Sequence, residues 1–84
     1  MSHPCPCCGY LTFDDAPCGT FEICPVCYWE DDNVQGGDPA YDGGANGISL
    51  SEARQNFISF GAIKKEFVKE VRKPLEHEYG PEYL

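Results

Sequence analysis

Eighty-four residues, 42% of them apolar, allow one small domain whose core is too thin to hold without an added staple. A formal charge of −8, and no stretch approaching about 18 apolar residues, exclude a membrane-spanning helix and argue against a phosphate-binding surface. The charge is uneven: nine acids and no Lys or Arg precede Arg54, and six bases stand with five acids from Arg54 onward.

Met1-Ser2-His3-Pro4 is a short polar lead with neither a basic n-region nor an apolar h-region. The expectation is a cytoplasmic protein with reduced, metal-binding cysteines, and the rival is a disulfide framework. His3 is expected to be solvated, with replacement of a cysteine ligand as its alternative.

The informative stretch is Cys5-Pro6-Cys7-Cys8-Gly9 followed by Cys24-Pro25-Val26-Cys27. Cys5-x2-Cys8-x15-Cys24-x2-Cys27 is a recurrent spacing for a four-thiolate metal site. Two thiolates three positions apart grip one ion only if the backbone between them turns tightly. Pro6 and Pro25 suit such a knuckle, and Gly9 lets the chain leave the first one. Two knuckles supply the four corners of a tetrahedral site, so Cys5, Cys8, Cys24 and Cys27 are the expected ligands of one structural Zn²⁺, with iron as the alternative metal.

Tyr10–Phe13 and Thr20–Ile23 alternate and are rich in β-formers, and Asp14–Gly19 has the composition of a turn. A hairpin centred on Ala16 pairs Phe13 with Gly19, Tyr10 with Glu22 and Cys8 with Cys24, which brings the knuckles together. Tyr28-Trp29-Glu30 is placed as a third strand, giving a zinc ribbon over residues 4–35. Cys7 and Cys18 are surplus. In this register they lie about five residues apart along the hairpin, roughly 17 Å, too far for a disulfide. Cys7 then reads as a packed or weakly exposed thiol, with redox reactivity or substitute ligation as alternatives.

The stretch 31–47 reads as a loop wrapping over the ribbon, its glycine-rich part within residues 36–48. It lacks the Lys-Ser/Thr of a phosphate cradle, and Asp38, Asp42 and Asn46 do not match a calcium loop. Residues 49–74 form a helical segment. Ser49-Leu50-Ser51-Glu52 is a capping box, a helix runs to about Phe60, and Gly61 stops it. A second helix is expected from about Ala62 to Lys73, with Ile63, Phe67 and Val71 on one stripe and Glu66–Lys69 and Glu70–Lys73 as exposed pairs. Residues 75–84 form an acidic tail in which Leu75, Tyr79 and Tyr83 keep an i+4 rhythm suited to docking.

Cys5-Pro6-Cys7-Cys8-Gly9-Tyr10, Cys24-Pro25-Val26-Cys27-Tyr28-Trp29-Glu30-Asp31-Asp32, Gly43–Gly47, Ser51–Arg54 and Phe60-Gly61-Ala62 together resemble the cysteine-rich CPCC family of small bacterial proteins, over roughly residues 4 to 76. That resemblance implies metal binding and a bacterial cytoplasm, and no defined activity. Cys5-x2-Cys8-Gly9-Tyr10 with Cys24-Pro25-x-Cys27 also resembles the knuckles of rubredoxin, which implies iron electron transfer. Tyr28 in place of a glycine and the short spacing between the knuckles depart from that pattern.

The resulting expectation is a single α+β domain, a zinc-ribbon or rubredoxin-like hairpin sheet followed by a two-helix segment. No nucleophile–base–orienter set includes His3 or His77, so no enzyme is expected. The expected role is a protein–protein interaction module with a basic partner, in its specific form an inhibitor or immunity-type protein. No nucleic-acid or membrane partner is expected.

Overall fold

A knuckle of the Cys-x2-Cys type reverses the chain by itself, so the residues flanking it are the ones brought side by side. That local consequence shapes the cysteine-rich half in the computed structural model, which describes residues 3–17 and 19–79. Strand β1 (His3–Pro4) pairs antiparallel with β2 (Leu11–Phe13), His3 opposite Phe13 and Pro4 opposite Leu11. The register slips by one residue at Thr12. Around the second knuckle Ile23 bridges Glu30, the Phe21 N–H donates to the Asp31 carbonyl (3.1 Å), and the Asp31 N–H donates to the Glu22 carbonyl (2.9 Å).

This corrects the expected hairpin. Tyr10–Phe13 pairs back onto the polar lead and Thr20–Ile23 pairs forward onto Glu30 and Asp31, so the chain reverses at both knuckles and β2 is not paired with Thr20–Ile23. The third strand is reduced to the single bridge at Glu30. Cys18, and with it the expected Cys7–Cys18 separation, lies outside the described residues.

The stretch 31–47 wraps the second knuckle through side chains rather than strands. Asp32 Oδ1 accepts from the Val34 and Gln35 N–H groups at 2.8 and 3.0 Å. Buried Asn46 accepts from the Glu30 N–H at 2.7 Å and donates to the Glu30 carbonyl at 2.8 Å, in the manner of an adjacent strand. Gln35, fully buried, donates to the carbonyls of Tyr41 and Ile48 at 2.8 and 2.7 Å and accepts from Asn46 at 2.9 Å. Every polar atom of these two amides that needs a partner in the core thereby finds one.

Helix α1 (Leu50–Phe60) forms where its caps place it. The Glu52 N–H donates to Ser49 Oγ (3.1 Å), and Gly61 closes the helix at φ 90°, its N–H on the Phe57 carbonyl. Leu50 and Ala53 are buried, and Phe57 and Phe60 are half-buried on the same stripe.

The expected second helix is absent as such. Between Ala62 and Lys73 the chain makes only turns, including a short 3₁₀ turn at Lys65–Phe67. The backbone groups a helix needs are engaged elsewhere: the Ile63 N–H donates to the Cys27 carbonyl (2.9 Å), the Arg72 N–H to the Pro25 carbonyl (3.0 Å), and the Ile63 carbonyl accepts from the Asn56 side chain (2.8 Å). Docking onto the second knuckle overrides helix propensity. Among the described residues the ion pair is Arg72 with Glu78, not the Glu66–Lys69 and Glu70–Lys73 pairs.

A 3₁₀ turn at Glu76–Glu78 packs the tail against β2. Tyr79 meets Tyr10 edge-on at 5.2 Å between centroids, while Tyr83 lies outside the described residues. The core joins Phe13, Val26, Trp29, Leu50, Ala53 and Ile63 to five cysteines. No helix among the described residues is long and apolar enough to cross a membrane.

Candidate metal centre

The two knuckles are built alike, bond for bond. In the first, the Cys5 N–H donates to the Tyr10 carbonyl, the Gly9 N–H returns to the Cys5 carbonyl, both at 2.9 Å, and the Cys7 N–H points at Cys5 Sγ (3.4 Å). In the second, the Cys24 N–H donates to the Trp29 carbonyl (2.9 Å), the Tyr28 N–H to the Cys24 carbonyl (2.8 Å), and the Val26 N–H points at Cys24 Sγ (3.4 Å). The residue leaving each knuckle is left-handed, Gly9 at φ 81° and Tyr28 at φ 73°. Tyr28, which departs from the glycine pattern in sequence, adopts the glycine's backbone. Its ring lies 4.5 Å from that of Phe67, tilted by 32°, a contact no glycine makes.

Cys5, Cys8, Cys24 and Cys27 come together with all four Sγ atoms within 4.8 Å of one another. Cys5 Sγ lies 3.6 Å from Cys27 Sγ, and Cys8 Sγ lies 3.7 Å from Cys24 Sγ. A tetrahedron with metal–sulfur bonds of about 2.3 Å has edges of about 3.8 Å. The cluster therefore has the dimensions of a four-thiolate metal site, and its residues fit one divalent ion. All four sulfurs are in buried residues, and Cys24 and Cys27 are fully enclosed.

The electrostatics point the same way. Hydrogen bonds from Cys27, Cys5 and Cys8 hold the Cys24 thiol well below the usual range, with Thr12 adding to them. The Cys5 thiol is pushed up, first by its hydrogen bond to Cys24. Burial, then the bond to Cys24, pushes Cys27 up. Four thiols this close together and this buried cannot all ionise without a counter-charge. A divalent cation removes that conflict, because it makes the deprotonated form of every ligand the stable one.

Thr12 was not legible as part of this centre. The register slip in β2 brings its Oγ1 within 3.1 Å of Cys24 Sγ, across from the other knuckle. With the sulfur as thiolate, the hydroxyl is the donor. His3 sits in β1 and is not a member of the sulfur cluster. Cys7 is buried beside the cluster with its backbone N–H turned to Cys5, but it is not one of the four.

No curated protein matches the chain. A family model described as cysteine-rich CPCC matches residues 3–78, nearly the whole chain from the lead before the first knuckle to the Glu76–Glu78 turn. The protein belongs to the cysteine-rich CPCC family.

Proposed function

We propose that the protein is a small structural zinc protein that acts as a non-enzymatic interaction module. The observation that carries the metal reading is the buried Cys5–Cys8–Cys24–Cys27 cluster with edges of 3.6 and 3.7 Å. Four sulfurs close the coordination sphere and leave no position for water, which favours a structural over a hydrolytic ion. The ion would be held by the four thiolates, would carry about −2 with them, and would tie the two knuckles together.

The interaction reading rests on the surface. The chain is strongly acidic before Arg54, and Phe21, Ile23, Val34 and Tyr41 stand exposed in that same part. Acidic residues interspersed with exposed apolar ones favour a basic protein partner, of which a toxic nuclease is one example. On this reading the protein is cytoplasmic and neutralises its partner by covering it.

The test is elemental analysis with an absorption spectrum on protein purified without chelators. One zinc per chain and no visible absorption is the expected result. One iron with a reducible visible chromophore replaces this reading with electron transfer. The partner reading is tested by recovery from native lysate, where the expected result is a basic protein bound to wild type and released at high salt.

A further inference from the structure

Acids outnumber bases fourteen to six in the chain, yet three of the six bases, Arg54, Arg72 and Lys73, line depressions along α1, Arg72 being the one paired with an acid, Glu78. Two shallow depressions of about 340 Å³ each meet at Phe57. One runs from Cys7, Cys8 and Tyr10 past Arg54 to Ile58. The other is walled by Val26, Phe60, Val68 and Val71 and edged by Arg72 and Lys73. No Asp or Glu lines either one. Ile58 is 84% exposed beside the first and Val68 is 42% exposed beside the second. An apolar face rimmed by polar and charged residues is the form an interaction site takes.

We propose that this face binds an acidic, amphipathic peptide segment of a partner protein. Its apolar side chains enter the depressions on either side of Phe57, and its carboxylates meet Arg54 and Lys73. Neither of these two bases is in an ion pair among the described residues. Charge complementarity selects the class: on a molecule of −8, these two cations stand beside apolar depressions that no Asp or Glu lines, so an acidic segment is favoured here over the acid-rich part before Arg54. The adjoining surface already takes such a segment from the chain itself. Glu78 grips Arg72 through two 2.8 Å bonds while Tyr79 packs on Tyr10. The acidic residues that favour a basic partner lie elsewhere in the chain, so the two partner readings stand or fall separately.

The experiment uses the full metal-loaded chain, labelled with ¹⁵N, and two amidated peptides of about fourteen residues. Both have leucine at helical a and d positions; one carries glutamate and the other lysine elsewhere. The glutamate peptide is expected to shift the amides of Phe57, Ile58, Gly61 and Val71, less strongly as salt rises. Ile58→Asp and Lys73→Glu, at exposed positions, are each expected to weaken it at least tenfold while metal content and helix signal stay unchanged. Equal binding of the lysine peptide, shifts mapping elsewhere, or no shift at millimolar peptide overturns the proposal. Concentration-dependent shifts of the same amides without peptide assign the face to a second copy of the chain and overturn it equally.

Discussion

Tyr28 shows how much one residue contributes that its neighbours in sequence do not announce. Its φ of 73° places a bulky side chain in the left-handed region, at a cost of about 1–2 kcal/mol. Against that stand the ring contact with Phe67, worth about 0.5–1.5 kcal/mol beyond area, and the burial of most of a tyrosine side chain. Packing wins, which is why a tyrosine persists where Gly9 serves in the other knuckle. Tyr28→Gly is expected to cost about 1–2 kcal/mol, since it loses the ring and relieves the strain. Tyr28→Ala loses the ring and keeps the strain, so it is expected to be the less stable of the two by about 1 kcal/mol. Chemical denaturation of the metal-loaded variants checks this; alanine more stable than glycine would show that the left-handed backbone stores nothing. The clustering of Cys5, Cys8, Cys24 and Cys27 was legible because it is written in their spacing. Tyr28 and Thr12 were not, because a positive φ at a non-glycine and a one-residue register slip are set by the partner elements.

Elements in this chain form where caps or knuckles dictate and fail where docking competes. Helix α1 was legible to the residue because Ser49 and Gly61 act locally. The second helix was misjudged because its periodicity is real but its backbone is needed at the carbonyls of Cys27 and Pro25, which no local pattern reveals. The hairpin was misplaced because Asp14–Gly19 looks more turn-like than a cysteine knuckle does. The glycine-rich loop hides its order in two amides, and that order predicts its fragility. Asn46→Ala leaves the Glu30 peptide and Gln35 Oε1 without partners, at an expected cost of about 2–4 kcal/mol. Gly44→Ala sets a Cβ within 2.6 Å of the Gln35 side chain and is expected to destabilise in the same direction. A loss under 0.5 kcal/mol for Asn46→Ala on thermal unfolding would remove the loop from the cooperative unit. The tail is held by charge instead. The Arg72 guanidinium holds the Glu78 carboxyl below its ordinary value of 4.5, with the Leu75 N–H assisting. A depressed acid stabilises above its unfolded value and loses that contribution as pH falls through the folded one. Because Arg72 is 41% exposed, Glu78→Gln is expected to cost only about 1–2 kcal/mol at pH 7. That difference from wild type should shrink as pH falls below 4.5; a constant gap would mean the pair stabilises by packing rather than charge.

At the scale of the molecule, nearly every segment reports back to a knuckle. Arg54 of α1 donates to the Pro6 carbonyl in the first. Ile63 and Arg72 donate to Cys27 and Pro25 in the second. Asn46 clamps Glu30 at the second knuckle's exit, and the tail lies on β2. Among the described residues the two knuckles share no strand pairing, and the sulfur cluster joins them directly. Structural zinc contributes about 10–16 kcal/mol of apparent binding energy in small peptides, as much as or more than the whole stability of an ordinary domain. Loss of the ion should therefore unfold the entire chain and not merely loosen one end. Cys24→Ser is expected to abolish metal binding and with it both the helical circular dichroism of α1 and the near-ultraviolet signal of buried Trp29. Chelation of the wild type should do the same, in one transition. Cys7→Ser, next to the cluster but outside it, and Cys18→Ser should each retain one metal per chain and both signals. If instead α1 kept its helical signal after the metal left, the caps and the apolar core would be sufficient by themselves. The four cysteines would then hold an ion that the fold does not need, and the reason for the ion would have to be sought in chemistry rather than in stability.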